Sequence, residues 1–234
     1  PLLNQKSIGK EMTADFKDNL EALKVQLSPE KSYDVVYRVI KIGGRDACFF
    51  FVDGFCKDEL MQKLLQYLMD LKPEDLPGNA HDMTKKYMPY VEVDLSNKWD
   101  VIIRNLLSGQ TILVIDGYES CIMIDSRTYP VRSVAEPVKE KALRGSRDGF
   151  VETIVFNTAL LRRRIRSTKL RVEMMSAGKS SQTDIAVCYM DDRVDHKLLC
   201  QIRNRIKNIH VDALSMNQES LAEALYESTW LNPF

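Results

Sequence analysis

The sequence predicts an α/β protein of two small subdomains, each a mixed β-sheet with packed helices. Three observations predict it. Segments whose apolar residues recur every three or four positions alternate with pairs of β-rich runs, several of them joined by glycine turns. An aperiodic stretch at residues 129–148, interrupted by Pro130 and Pro137, separates two such groups. The 234 residues, 44% hydrophobic and 28% charged, suffice for one large core or two small ones. The expected division is a polar segment and helix at 1–30, an N-terminal subdomain at 31–128, a connector at 129–148 and a C-terminal subdomain at 149–234.

Residues 1–12 are polar and aperiodic, so fraying is expected there. Residues 13–27 place Phe16, Leu20, Leu23 and Leu27 on one helical face. Residues 32–42 alternate Val35, Tyr37 and Val39 with polar neighbours including Asp34, and Gly43-Gly44 turns them into an apolar strand at 47–51. A helix at 58–71 carries Leu60, Leu64, Leu68 and Leu71, and Pro73, Pro77 and Gly78 end it. A polar connector with a short helix follows through Tyr87. Asn97 opens a third helix with Val101, Ile102, Leu106 and Leu107, which Gly109 stops. Residues 111–115 form a wholly apolar strand suited to a sheet covered on both faces. Asp116-Gly117 then turns into a partner at 120–124.

The segment of greatest interest is RGSRDGFVETIVFNTALLRRRIRSTKLR, residues 144–171. Asp148 is the expected N-cap of a helix starting near Gly149. Phe150, Ile154, Leu161 and Ile165 mark its expected buried side, with Thr158 between them. Arg162, Arg163 and Arg166 are expected on the opposite side, and Arg164 beside Asn157. Strands at 170–174 and 184–189 follow, joined by a turn at 177–181. A helix at 195–209 has Leu198, Leu199, Ile202 and Ile206 inward. A short strand at 211–214 and a helix capped by Asn217 complete the plan.

Thirty-three basic and thirty-three acidic side chains balance, so net charge selects no partner. Residues 132–171, however, hold eleven basic and four acidic residues, a surplus of seven and a local basic zone. The five cysteines include no C-x-x-C pair and mostly sit in apolar runs, which reads as free thiols in a reducing compartment. The three histidines do not fall at metal-ligand spacings from them. No run approaches the roughly 18 apolar residues of a membrane span.

Gly178-Lys179-Ser180 lacks the earlier glycine of a phosphate loop, since position 173 is Glu173, and it joins two strands. Asp191, Asp192 and Asp195 are expected to cap a helix rather than hold a cation. No nucleophile elbow or catalytic triad spacing occurs, so no enzyme activity, cofactor or metal is expected. The arginine helix has four readings: a solvated basic face, a wall of a ligand cleft with Arg144 and Arg147, a contact with a neighbouring subunit, or a surface toward anionic lipid. Nucleic acid is the weakest partner, because no aromatic stacking platform accompanies the arginines.

RGSRDGFVET at 144–153, NTALLRRRIR at 157–166 and GKSSQTDIAVCYM at 178–190 together resemble the GerA family of bacterial spore germination A subunits. The likeness is specific across residues 136–189, weaker across 33–125, and only topological in the first thirty. Arg144, Gly145, Gly149, Phe150, Glu152, Asn157 and residues 162–164 match the family pattern. Ser146 stands where receptor members usually carry Pro, a departure that weighs against direct germinant binding.

The resemblance implies two α/β subdomains with a cleft between them. It also implies continuation past a similar W-x-N-P-F segment into several membrane-spanning helices, and ring-like oligomers in the inner spore membrane with this part facing the spore core. The expected function is oligomer assembly and signal coupling to ion release or channel opening. The expected partners are other copies of the chain, other germination membrane subunits, and the membrane through a region beyond residue 234. The alternative is germinant-like small-molecule sensing in the cleft. Arg144, Arg147, Asp148, Glu152, Asn157, Arg162, Arg163, Arg164 and Arg166 are the expected ligand-binding or interface residues.

Overall fold

The computed structural model describes residues 9–88, 92–127, 150–209 and Leu221. The chain forms two compact units, Pro1–Thr168 and Lys169–Phe234.

The first unit is built on one five-stranded sheet. Its strands are β1 (Val35–Ile42), β2 (Arg45–Val52), β3 (Val93–Ser96), β4 (Thr111–Ile115) and β5 (Cys121–Ile124), in the order β1-β2-β4-β5-β3. Every ladder in it is antiparallel, so the mixed sheet expected from sequence is corrected. Short turns, of two residues between β1 and β2 and of residues 116–120 between β4 and β5, leave no length for a crossover and make those two ladders antiparallel, while β2-β4 and β3-β5 pair antiparallel across longer connections. At Gly43-Gly44 both residues have positive φ, 53° and 79°, as the turn that matches strand twist requires.

The central strands are apolar on both faces because helices cover both. On one face Cys48, Phe50, Ile112, Val114, Cys121 and Met123 meet helices α1 (Phe16–Leu27) and α4 (Trp99–Leu107) through Leu23, Leu27, Ile102 and Leu106. On the other, Ala47, Phe49, Leu113, Ile115, Ile122 and Ile124 meet α2 (Asp58–Met69) and α3 (Ala80–Tyr87) through Met61, Leu64, Leu68 and Met83. Odd and even positions of each strand thus serve separate cores, which is why the runs read as unbroken hydrophobics.

The short edge strand β3 lies between the expected connector, which ends at Tyr87, and the helix expected from Asn97, where no element was expected. Its half-exposed and exposed positions gave too weak an alternation to read. Residues 9–12 are not frayed: Met12 is buried and donates its N–H to the Asn97 carbonyl, and Trp99 donates to the Lys10 carbonyl.

The second unit is a hairpin of β6 (Leu170–Ala177) and β7 (Thr183–Met190), antiparallel along its whole length, under α6 (His196–Lys207). Ile206, Ile209 and Ala177 form its small core, with Met175, Ile185, Val187, Ile202 and Leu221 against it. Asp195 caps α6, accepting from the Lys197 and Leu198 amides, and Asp191 pairs with Arg171 at 3.4 Å. The strand expected at 211–214 and the Asn217 cap lie outside the described residues.

Helix α5 (Ile154–Arg164) is the arginine helix, and it belongs to the first unit. The sequence reading begins the C-terminal subdomain at 149. The compact units instead divide at Thr168, because α5 carries its buried side chains onto the start of β1.

Candidate functional site: the arginine helix

Helix α5 starts at Ile154, five residues after the expected Gly149, and its N-cap is Thr153, which makes no side-chain cap bond. Asn157 does the capping work from inside the first turn. Its Oδ1 accepts the Val151 N–H at 2.7 Å, and its amide nitrogen donates to the Val151 carbonyl at 2.6 Å. Asn19 at the same place in α1 grips Thr13 in the same way, at 3.1 and 2.7 Å. In both helices the fourth residue clasps the backbone six positions back and fixes how the chain enters the helix.

The helix is rotated roughly a quarter-turn from the expected stripe, at 3.6 residues per turn. Its buried residues are Thr158, Ala159 and Arg162, whereas Phe150 is 65% exposed and Ile165 37%. Two contacts with distant parts of the chain contribute to this orientation. Gly54, at φ 81°, lies directly under the helix, and a Cβ there would stand 3.0 Å from the Ala159 Cβ and 3.2 Å from the Val155 carbonyl oxygen. Ala159 thus seats against Val52 and Phe55 in a small cluster of its own. Thr158 donates its hydroxyl proton to the Val155 carbonyl at 2.9 Å, so the 2.6 Å bond to Tyr33 has the phenol as donor.

Arg162 is the deciding residue. It is 1% exposed, and Asp34 facing it is 0% exposed. Nε donates to Asp34 Oδ2 at 2.7 Å and Nη2 to Asp34 Oδ1 at 3.0 Å, a two-pronged ion pair. Nη2 also donates to Ser32 Oγ at 3.1 Å, while that hydroxyl gives its proton to Asp34 Oδ1 at 2.7 Å. Nη1 reaches the Ser167 carbonyl at 3.0 Å, which ties down the chain leaving the helix. All three guanidinium nitrogens therefore have partners, as burial of a charge demands. The expectation that Arg162 faces away from the buried side is corrected: its carboxylate lies 128 residues earlier, beyond the reach of any local periodicity.

Of the other expected site residues, Arg163 is half-buried and Arg164 and Arg166 are exposed, with Arg166 Nε donating to the Arg163 carbonyl. Glu152 is exposed and Asn157 half-buried. Arg144, Arg147 and Asp148 lie outside the described residues. Sequence reasoning missed Ser32, Tyr33, Asp34 and Gly54. The readable signal was Asp34 abutting the apolar Val35-Val36, a place where a carboxylate needs a partner.

The sequence profile described as Bacillus/Clostridium GerA spore germination protein matches residues 21–234. The chain belongs to the GerA family. It is 35% identical over 218 residues to stage V sporulation protein AF of Bacillus subtilis strain 168, covering 92% of this chain and 44% of that protein. It is 28% identical over 226 residues to the uncharacterized membrane protein YfkQ of the same strain, covering 95% and 43%. The chain therefore spans less than half the length of these curated relatives. The crystal structure of the N-terminal domain of the A subunit of the Bacillus megaterium spore germinant receptor GerK3 has the same fold, with a TM-score of 0.68 at 24% identity, covering 95% of this chain and 83% of that one. This GerA-family domain is thus α/β, with the antiparallel five-stranded sheet and two-stranded hairpin described above. Among its described residues no helix is long and apolar enough to cross a membrane.

Proposed function

We propose that this GerA-family domain is a non-enzymatic assembly and coupling element of a spore germination membrane protein, standing on the spore-core side of the inner spore membrane. In this reading it joins copies of itself, or other germination subunits, and passes a signal to ion release. The observation that carries the reading is the division of labour within the arginine run. Arg162 turns inward and fixes α5 against the first unit, while Arg164 and Arg166 stay exposed at the basic end of a helix held in one orientation. Cations displayed from a fixed helix meet a complementary acidic surface with little further loss of freedom.

The test is made in the full-length protein in its membrane. Arg163→Gln, Arg164→Gln and Arg166→Gln together, with Arg162 intact, are expected to reduce the oligomer seen in native membrane extracts and to slow germination. An unchanged oligomer with all three replaced would remove the assembly role from this helix.

A further inference from the structure

Helix α5 is attached to the first unit in a manner unlike the other helices there. Helices α1, α2, α3 and α4 press apolar rows into the two large cores, and α5 contributes nothing to either. Its buried residues are one methyl group, one hydroxyl and one guanidinium: Ala159 on Val52 and Phe55, Thr158 on Tyr33, and Arg162 on Asp34 and Ser32.

This composition sets the free-energy difference between docked and undocked helix. Undocking would return apolar surface to water only at Ala159, Val52, Phe55 and the half-buried Val155, a smaller contact than the rows that α1, α2, α3 and α4 bury in the two large cores. A buried ion pair, by contrast, regains the hydration of both ions when it opens, and that hydration roughly balances the attraction given up. A contact of this kind is well defined in geometry and weak in net free energy. It also lies on the path of the chain: Arg162 holds the Ser167 carbonyl, and the second unit begins at Lys169.

We propose that α5 is a detachable latch with the Asp34–Arg162 pair as its catch. It leaves the first unit as one block while the five-stranded sheet stays folded, and in doing so it loosens the covalent leash on the second unit. A discrete two-state element of this kind is the physical requirement for transmitting a signal between folded bodies. The inference goes beyond the assembly reading and does not need it, since it concerns this chain alone.

Native-state hydrogen exchange on the 234-residue chain tests it, with no membrane region and no second copy required. The α5 amides are expected to exchange together and faster than those of β2 and β4. Asp34→Asn is expected to accelerate the α5 amides at least tenfold and leave β4 unchanged. Thr158→Val, a milder change at the rim of the same contact, is expected to act in the same direction with a smaller factor, and it decides the matter if Asp34→Asn fails to fold. Exchange of α5 in step with β2 and β4, or equal acceleration of all three by either variant, overturns the latch. The assay compares exchange rates of segments within one chain and does not read oligomer size, so its failure leaves the assembly reading to its own test.

Discussion

Each unit of this domain ties a helix to another segment with one arginine and one carboxylate, Asp34 in the turn before β1 and Glu173 in β6, and the two hooks differ chiefly in burial. In the first unit Arg162 and Asp34 are 1% and 0% exposed. In the second, Arg203 of α6 grips Glu173 of β6 through Nε at 2.8 Å and through Nη2, with side chains 33% and 21% exposed. Both are two-pronged, and both recruit a hydroxyl: Ser32 bonds Asp34, and the Tyr189 phenol bonds Glu173. Burial of Tyr189, with Glu173 next to it, pushes that phenol up to about 12. Water nevertheless reaches the second hook and stands ready to replace either partner, whereas at the first a stranded Arg162 keeps only neutral partners, the Ser32 hydroxyl and the Ser167 carbonyl. Equal geometry therefore does not mean equal consequence.

The largest expected effect comes from stranding the buried arginine. Asp34→Asn should accelerate exchange of the α5 amides at least tenfold, up to the full loss of their docking protection. The paired replacement Asp34→Leu with Arg162→Met removes both charges and should restore most of that protection. If the double variant is as loose as the single one, the charge is not what the site depends on. The matching change in the second unit, Glu173→Gln, should cost only about 0.2–1 kcal/mol in chemical denaturation. A loss as large as the first would erase the contrast between the hooks.

The smallest effect concerns acid. Arg127 bonds Asp125 and holds its carboxyl below the ordinary carboxylate value. A carboxyl depressed on folding stabilises above its unfolded value, and that stabilisation fades as pH falls through the folded one. Thermal unfolding followed below about pH 4 should thus show a shallow loss that Asp125→Asn lacks. An identical acid profile in the variant would assign the loss to other carboxylates.

Much of the fold was legible because it rests on local pattern. The Gly43-Gly44 hairpin, the unbroken run at Thr111–Ile115 and the leucines of α2 announce themselves within a few residues. The family was legible too, from three short segments around α5. The orientation of α5 was not. A hydrophobic stripe drawn through Phe150, Ile154, Leu161 and Ile165 assumes that apolar residues decide which side faces in. Here a glycine beneath Ala159 and a carboxylate beneath Arg162 decide it, and both come from over a hundred residues away. Arg162 also stands beside two arginines that are not fully buried, so composition alone cannot single it out. The candidate site was accordingly found as a helix and misread as a face.

The placement of α5 bears on how the chain is to be divided for separate expression. Cutting at the proline-containing stretch before Gly149, the natural choice from sequence, would leave Asp34 facing an empty trough and send its arginine away with the wrong fragment. Both pieces would be prone to clump, one through a bared Val52 and Phe55, the other through a helix with no platform. A cut after Thr168 keeps acid and base in one polypeptide.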